Sequence, residues 1–132
     1  MCGIAGVLGE RDREVEINLL ERLKDHLSHR GPDGEGVEVI DCADGSRRVL
    51  GLVHTRLAII DLSATGRQPM RDERTGNCIS FNGEIYNFRA IRDRLEAMGQ
   101  VFTSTSDTEV ILKAYDVWGL HCLQELDGMF AF

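Results

Sequence analysis

The chain begins with a residue that can act as a nucleophile. Cys2 follows the initiator methionine, so removal of Met1 leaves a thiol and a free α-amine on one residue. An α-amine can serve as the base for a nucleophile on the same residue, which gives a compact reactive group without a histidine partner. Gly3 and Gly6 allow substrate or backbone to approach closely. Taken alone, Cys2 is also compatible with a small apolar residue that starts a buried strand.

Three further groups have the chemistry that an acyl-transfer site needs. Asn82 and Gly83 offer a side-chain amide and a bare backbone N–H, two kinds of donor that form an oxyanion hole. Arg56, within an apolar run, offers a planar fork for a carboxylate. Glu84 and Asp107 offer anions for an ammonium group. A substrate with a carboxylate, an α-ammonium and an electrophilic carbonyl would satisfy all of them, and glutamine is one such molecule.

Each of these residues also has a purely structural interpretation. Arg56 can belong to a structural ion pair, because a buried guanidinium needs an anionic partner. Asn82-Gly83, at the end of a predicted strand, is a frequent turn dipeptide, and Asp107 can serve only as a helix N-cap. The residues taken singly leave these alternatives open.

Hydrophobic periodicity and turn residues predict the elements that position these groups. A helix is predicted over residues 14–28, followed by a loop around Pro32. A second helix contains Ile91 and Leu95 and ends at Gly99. A third opens at the capping box of residues 106–109 and runs through Trp118. Strands are predicted at residues 4–8, 37–40, 48–53, 71–73, 78–81, 101–103 and 129–132, all in one domain.

Composition and charge exclude several classes of protein. The net charge of −7 over 132 residues argues against a nucleic-acid surface, which needs basic patches. No apolar run approaches membrane-spanning length. The four cysteines and four histidines lack ligand spacing, so we expect no metal site and no cofactor in this chain. Scattered cysteines without a secretory signal favour the reducing cytoplasm.

Five runs, in this order, carry a resemblance to a known family. They are Met1-Cys2-Gly3-Ile4-Ala5-Gly6, His29-Arg30-Gly31-Pro32-Asp33-Gly34, His54-Thr55-Arg56-Leu57-Ala58-Ile59-Ile60-Asp61, Phe81-Asn82-Gly83-Glu84-Ile85-Tyr86-Asn87 and Ser106-Asp107-Thr108-Glu109. Together they resemble the glutaminase domain of glutamine-dependent asparagine synthetases, which are class II glutamine amidotransferases. Pro32, Leu57 and the run from Glu84 to Asn87 favour this branch over the sugar-phosphate aminotransferases. The resemblance implies an α+β fold of the N-terminal nucleophile (Ntn) hydrolase type, an αββα four-layer sandwich.

The resemblance also implies a role for individual residues. Cys2 matches the nucleophile, and Asn82 and Gly83 match the oxyanion hole. The residues that match the glutamine-binding positions are Arg56 for the carboxylate, Leu57, Ala58, Ile59 and Ile60 for backbone around the ligand, and Glu84 and Asp107 for the α-amine, beside Asn82 and Gly83 themselves. The reaction implied is hydrolysis of glutamine to glutamate and ammonia.

The family implies a larger protein than these 132 residues. In its members an ATP- and magnesium-dependent synthetase domain uses the ammonia to convert aspartate to asparagine. The present sequence has no GxxxxGK-type phosphate loop. We therefore expect an N-terminal part of the glutaminase domain that forms an incomplete sandwich, with a terminal strand able to pair with a second copy in a homodimer. The alternatives are a glutamine-binding module without turnover, a structural remnant, or the front end of another amide-forming relative.

Overall fold

A three-stranded antiparallel sheet forms the first half of the protein. The computed structural model describes residues 2–10, 17–42, 45–46, 48–58, 60–61 and 63–132. The sheet has the order β1 (Gly3–Glu10), β3 (Arg48–Arg56) and β2 (Gly34–Asp41). β2 and β3 are consecutive strands that pair in antiparallel register; Asp44, which lies between them in sequence, is outside the described residues.

Helix α1 (Ile17–Leu27) covers one face of this sheet. Leu20 is fully buried, and a Cβ at Gly51 of β3 would lie 2.7 Å from a Leu20 methyl carbon. The absence of a side chain at Gly51 therefore lets the helix approach the sheet closely. The predicted helix is confirmed from residue 17 onward, and its expected start at residues 14–16 lies outside the described residues.

The second half contains two short strand pairs and two helices. β4 (Met70–Arg71) pairs with β5 (Cys78–Ile79), and β6 (Asn82–Ile85) pairs with β7 (Gly128–Ala131). Helices α2 (Phe88–Ala97) and α3 (Asp107–Trp118) pack against each other and against these strands. Their shared core consists of Ile79, Phe81, Ile85, Ile91, Leu95, Val110, Ile111, Leu112, Ala114 and Cys122.

Two neighbouring residues of β3 show how the halves are stacked. Successive side chains of a strand point to opposite faces of its sheet. Thr55 donates a hydrogen bond to the Leu27 carbonyl in α1, at 2.9 Å, whereas His54 Nε2 lies 3.0 Å from the carbonyl oxygen of Phe81. The three-stranded sheet thus has α1 on one face and the segment that contains Phe81 on the other. This arrangement confirms the predicted α+β class.

Two local predictions are wrong. Residues 101–103 form no strand, because the N–H of Thr103 is bonded to the Glu109 carboxylate instead of to a neighbouring strand. Asn82-Gly83 neither ends a strand nor forms a turn; it begins β6, whose partner β7 lies more than forty residues along the chain.

The start of α3 differs in detail from the predicted capping box. Ser106 is the N-cap, and its hydroxyl oxygen accepts a hydrogen bond from the Thr108 N–H at 3.0 Å. Asp107 is therefore the first helical residue and not the cap. Glu109 does not close the box onto Ser106. Its carboxylate accepts bonds from the backbone N–H groups of Thr103 and Ser104.

The strand predicted at residues 129–132 is present as β7, but its side chains are largely exposed. The rings of Phe130 and Phe132 stack with centroids 5.8 Å apart, and they are 37% and 53% exposed. Neither face of β7 is therefore fully covered among the described residues. Among those same residues, no helix is long and apolar enough to cross a membrane.

Candidate functional site

A cavity of about 380 Å³ opens between the end of the three-stranded sheet, strands β6 and β7, and the start of α3. Its volume is in the range typical of small-molecule sites. Every predicted site residue that the structure describes lies at the wall of this cavity. These are Cys2, Arg56, Leu57, Ala58, Ile60, Asn82, Gly83, Glu84 and Asp107. Ile59, the remaining predicted residue, lies outside the described residues.

Cys2 is held at the cavity by bonds to both its side chain and its backbone. Its Sγ accepts the Leu57 N–H at 3.3 Å and lies 3.7 Å from the Leu57 carbonyl oxygen. Arg30 Nε donates to the Cys2 carbonyl at 3.0 Å. Gly3 then packs so tightly that a Cβ there would lie 2.6 Å from Thr55 Oγ1. The position of the thiol is therefore set by the end of β3 and by Arg30.

The Gly-Pro segment after α1 supports this corner of the cavity. A Cβ at Gly31 would lie 2.2 Å from the Thr55 carbonyl carbon, so only glycine fits. The Asp33 N–H donates to the Arg56 carbonyl and Asp33 Oδ2 accepts the Ala58 N–H, both at 2.9 Å. The residue types of Arg30 and Asp33 do not by themselves indicate these roles. The density of glycine, proline and charge in this run was the signal that could have identified them.

The guanidinium of Arg56 lies at the cavity wall and is oriented by the loop that follows β3. Nη1 donates to the Ser63 carbonyl at 3.0 Å, and Nη2 donates to the Asp61 carbonyl. A Cβ at Gly66 would lie 2.5 Å from Nη2, so the loop packs directly on the guanidinium. Backbone carbonyls rather than a carboxylate are therefore its contacts among the described residues.

Asp61 in turn stabilises that loop. Its carboxylate accepts the Ser63 N–H and hydroxyl at 2.8 and 2.6 Å, and the Thr105 N–H at 3.1 Å. Burial alone would raise the pKa of Asp61, but these bonds outweigh it and lower the pKa to about 2. Asp61 is consequently a charged anchor for the loop throughout the neutral range.

The hydrogen-bond alternation of β6 directs the N–H of Gly83 away from β7. In an antiparallel pair, alternate residues bond across the ladder. The Tyr86 N–H bonds to the Asp127 carbonyl at 2.7 Å, opposite it in the continued register. The Ile85 N–H points the other way and bonds to Asp107 Oδ2 at 3.1 Å. Gly83 lies two residues before Ile85 in the same strand, so its N–H points in the same direction, to the edge of β6 that does not pair with β7.

The absence of a side chain at Gly83 brings β6 and β7 together beside Asn82. A Cβ at Gly83 would lie 2.4 Å from the Met129 carbonyl oxygen and 2.6 Å from Phe130 Cα. The Oδ1 of Asn82 is buried and has no hydrogen-bond partner among the described residues. The period of two in a strand places Asn82 on the same face as Glu84 and opposite to Ile85, which is fully buried in the core.

The acidic side of the cavity is formed by Asp107 and Glu84. Asp107 is only 5% exposed, whereas Glu84 is exposed. Burial raises the pKa of Asp107, the Ile85 N–H opposes that rise, and the charge of Glu84 adds to it. A cation bound between these carboxylates would relieve both the desolvation and the repulsion. Arg56 and this acidic pair therefore bring groups of opposite charge to one cavity.

Gln68 and Thr108 also line the cavity, and they were missed by the sequence reasoning. A glutamine before a proline in a loop carries no local signal of a role. Within the part of the chain that the structure describes, no cluster of three or more His, Cys, Asp or Glu side chains is arranged to hold a metal ion.

Comparison with known proteins identifies the family. Residues 1–132 match the family described as glutamine amidotransferase domain. The chain is 42% identical to asparagine synthetase [glutamine-hydrolyzing] 3 of Bacillus subtilis and 40% identical to asparagine synthetase [glutamine-hydrolyzing] 3 of Arabidopsis thaliana; each match covers 100% of this chain and 21% of the relative. It is 35% identical to amidase chyE of Penicillium rubens, over 100% of this chain and 20% of that protein. The chain thus spans about a fifth of the length of these relatives. With a match along its whole length, the chain belongs to the glutamine amidotransferase domain family.

Proposed function

We propose that this domain hydrolyses glutamine to glutamate and ammonia, with Cys2 as the N-terminal nucleophile. The observation that carries the proposal is the set of residues that line the cavity. A thiol, the Asn82 amide, the N–H of Gly83 and side chains of opposite charge surround a volume suited to a small amino acid. The likeness to glutamine-hydrolysing synthetases supports the same activity.

In the proposed mechanism, the α-amine exposed by removal of Met1 takes the proton of the Cys2 thiol. The sulfur attacks the side-chain amide carbon of glutamine, and the developing oxyanion accepts hydrogen bonds from Asn82 and Gly83. The amine returns the proton to the leaving nitrogen as ammonia departs, which leaves a thioester. Water then attacks the thioester, glutamate leaves, and the sulfur recovers its proton. Met1 itself lies outside the described residues.

The charged side chains of the cavity orient the substrate for this attack. Arg56 binds the α-carboxylate, and its guanidinium is already held in plane by the carbonyls of Asp61 and Ser63. Asp107 and Glu84 bind the α-ammonium. Leu57, Ala58 and Ile60 provide backbone around the ligand, and a role for Ile59 stays a prediction from sequence.

The fold and the larger protein are part of the same proposal. The order of helix, sheet, strands and helices supports an Ntn-type αββα sandwich. In the full-length protein we expect an ATP- and magnesium-dependent synthetase domain to use the ammonia to make asparagine from aspartate in the cytoplasm. A homodimer stays a prediction. The sequence leaves a second candidate open, the front end of another amide-forming relative, in which the ammonia goes to an acceptor other than aspartate. Product analysis with aspartate and ATP separates the two.

The proposal is tested by substrates that lack one charged group at a time. Glutamate or ammonia release is measured for glutamine, for its α-carboxamide, and for N-acetylglutamine. The wild type should hydrolyse glutamine much faster than either analogue. Arg56→Lys should reduce the preference for glutamine over the α-carboxamide only. Asp107→Asn should reduce the preference over N-acetylglutamine only.

Arg71→Lys is the matched control for Arg56→Lys. Arg71 pairs with Glu38 on the surface and does not line the cavity, so the control should hydrolyse all three compounds as the wild type does. Equal hydrolysis of the three compounds by the wild type would contradict the proposed substrate.

A further inference from the structure

Phe81 is the residue before Asn82. Its backbone N–H and its backbone carbonyl are each bonded to a buried side chain that lies far from it in sequence. Phe81 lies in the gap between β5 and β6. Its N–H donates to Gln68 Oε1 at 2.6 Å, and its carbonyl accepts from His54 Nε2 at 3.0 Å. His54 is fully buried and Gln68 is 9% exposed. A residue that would normally bond to a neighbouring strand is instead fixed by two side chains.

Gln68 also joins this segment to the start of α3. Its Nε2 donates to the hydroxyl oxygen of Thr108 at 3.0 Å. Because the Phe81 N–H can only donate, the orientation of the Gln68 amide is determined by these two partners. The backbone of Gln68 packs on β2 so closely that a Cβ at Gly36 would lie 2.1 Å from the Gln68 carbonyl oxygen. The backbone of Gln68 is therefore packed against the sheet, and its side-chain amide is bonded to Phe81 and to α3.

These contacts fix the backbone on both sides of Gly83. Phe81, Gly83 and Ile85 have the same parity, and Ile85 donates to Asp107 Oδ2 in the first turn of α3. The Gln68 amide holds Phe81 to Thr108, which follows Asp107 in that turn. The strand is therefore tied to α3 two residues before Gly83 and two residues after it.

We infer that Gln68 is a positioning residue for the oxyanion hole: its amide links Phe81 to Thr108 and so sets the direction of the Gly83 N–H and of the Asn82 amide. This inference rests on the proposed hydrolysis of glutamine. Gln68 acts through these two residues and forms no bond to the reacting atoms. A small displacement of such donors slows the chemical step much more than it weakens ground-state binding.

The test compares three variants in the full-length protein. Gln68→Met removes both hydrogen bonds with little change in side-chain volume, and Thr108→Val removes only the acceptor on α3. Thr108→Ser keeps that acceptor. For Gln68→Met we expect kcat for glutamine to fall about 10-fold to 100-fold while KM changes less than about threefold. The kcat of Thr108→Val should fall by less than that of Gln68→Met, and the kcat of Thr108→Ser should lie between those of Thr108→Val and the wild type.

A second readout reports on the oxyanion hole itself. Glutamate γ-semialdehyde adds the Cys2 thiol across its aldehyde: an S–C bond forms, and the thiol proton ends on the former carbonyl oxygen, which occupies the oxyanion position. Across the variants, the inhibition constant of the aldehyde should rise as kcat falls. The dissociation constant of glutamate should stay within about threefold of the wild-type value. A general structural defect would weaken the binding of both ligands to a similar extent.

Lys113→Met is the control for a general loss of stability. Lys113 forms a buried ion pair with Asp72 at 2.7 Å, and neither residue lines the cavity. This variant should unfold more easily and keep its kcat. If Gln68→Met does not fold, Thr108→Val carries the test.

The inference is overturned if the affected variants keep wild-type kcat and aldehyde affinity, or lose glutamate affinity to the same extent. If Cys2→Ala hydrolyses glutamine at the wild-type rate, the proposed function fails instead, whatever the Gln68 variants do.

Discussion

The buried imidazole of His54 should make the stability of this protein depend on pH in a defined window. Burial lowers the pKa of His54 from 6.5 to about 4, the bond to the Phe81 carbonyl opposes this change, and the charge of Arg56 adds to it. Between these two values the unfolded chain binds a proton at this position and the folded protein does not. The free energy of unfolding therefore falls as the pH decreases through this window, and it is fully recovered above pH 6.5.

The size of the effect follows from the displacement of the pKa. One unit corresponds to about 1.4 kcal/mol, so His54 should account for a loss of about 3 kcal/mol between pH 6.5 and pH 4. His54→Gln removes the titration while keeping an amide N–H able to donate to the Phe81 carbonyl. Urea unfolding of both proteins at a series of pH values gives the difference directly. The low pKa of Asp61 contributes mainly below this window, and it is common to both.

The wild-type stability should approach that of His54→Gln, or fall below it, as the pH decreases from 6.5 to 4, and the gap between them should be constant above pH 6.5. Parallel stability curves for the two proteins across the whole window would refute the assignment of His54 as a buried neutral imidazole.

Three further predictions concern residues of the cavity. Asn82→Ala should lower kcat about 10²-fold to 10³-fold with a smaller change in KM, as measured by steady-state glutamate release; an unchanged kcat would leave Asn82 a structural residue only. Arg56→Lys keeps the charge but loses the fork, so calorimetry should show glutamine affinity reduced about 10-fold to 100-fold, and an unaltered affinity would count against the carboxylate contact. Gly83→Ala forces a Cβ to within 2.4 Å of the Met129 carbonyl oxygen, so the free energy of unfolding should decrease by about 1–3 kcal/mol; equal denaturation midpoints would show that β6 and β7 can separate at little cost.

The convergence of the chemical residues could be predicted from sequence because their types and order belong to recognisable runs. Cys2, Arg56, Asn82 and Asp107 all line one cavity. The helix that positions Asp107 was also predictable, since Ser106 before an apolar helical pattern is a strong start signal, and it does cap the helix.

Features that depend on long-range contacts could not be predicted in this way. Asn82-Gly83 looks locally like a turn, and only pairing with the distant β7 makes it the start of a strand. Residues 101–103 have suitable strand propensity, but the buried Glu109 takes the backbone N–H that a ladder would need. Gln68 carries no periodic or motif signal, because its side-chain amide bonds to Phe81 and Thr108, which are distant from it in sequence.

The proposed function depends above all on the sulfur of Cys2 as the attacking group. The most direct measurement is the rate of glutamate release by the full-length protein and by its Cys2→Ala variant, with glutamine binding followed by calorimetry in both. We predict that Cys2→Ala has no activity above the uncatalysed rate, yet binds glutamine within a few-fold of the wild type, because the proposed contacts to its carboxylate and ammonium are made by Arg56, Glu84 and Asp107. Wild-type turnover in Cys2→Ala, or an active wild-type protein whose intact mass shows Met1 retained, would contradict the account.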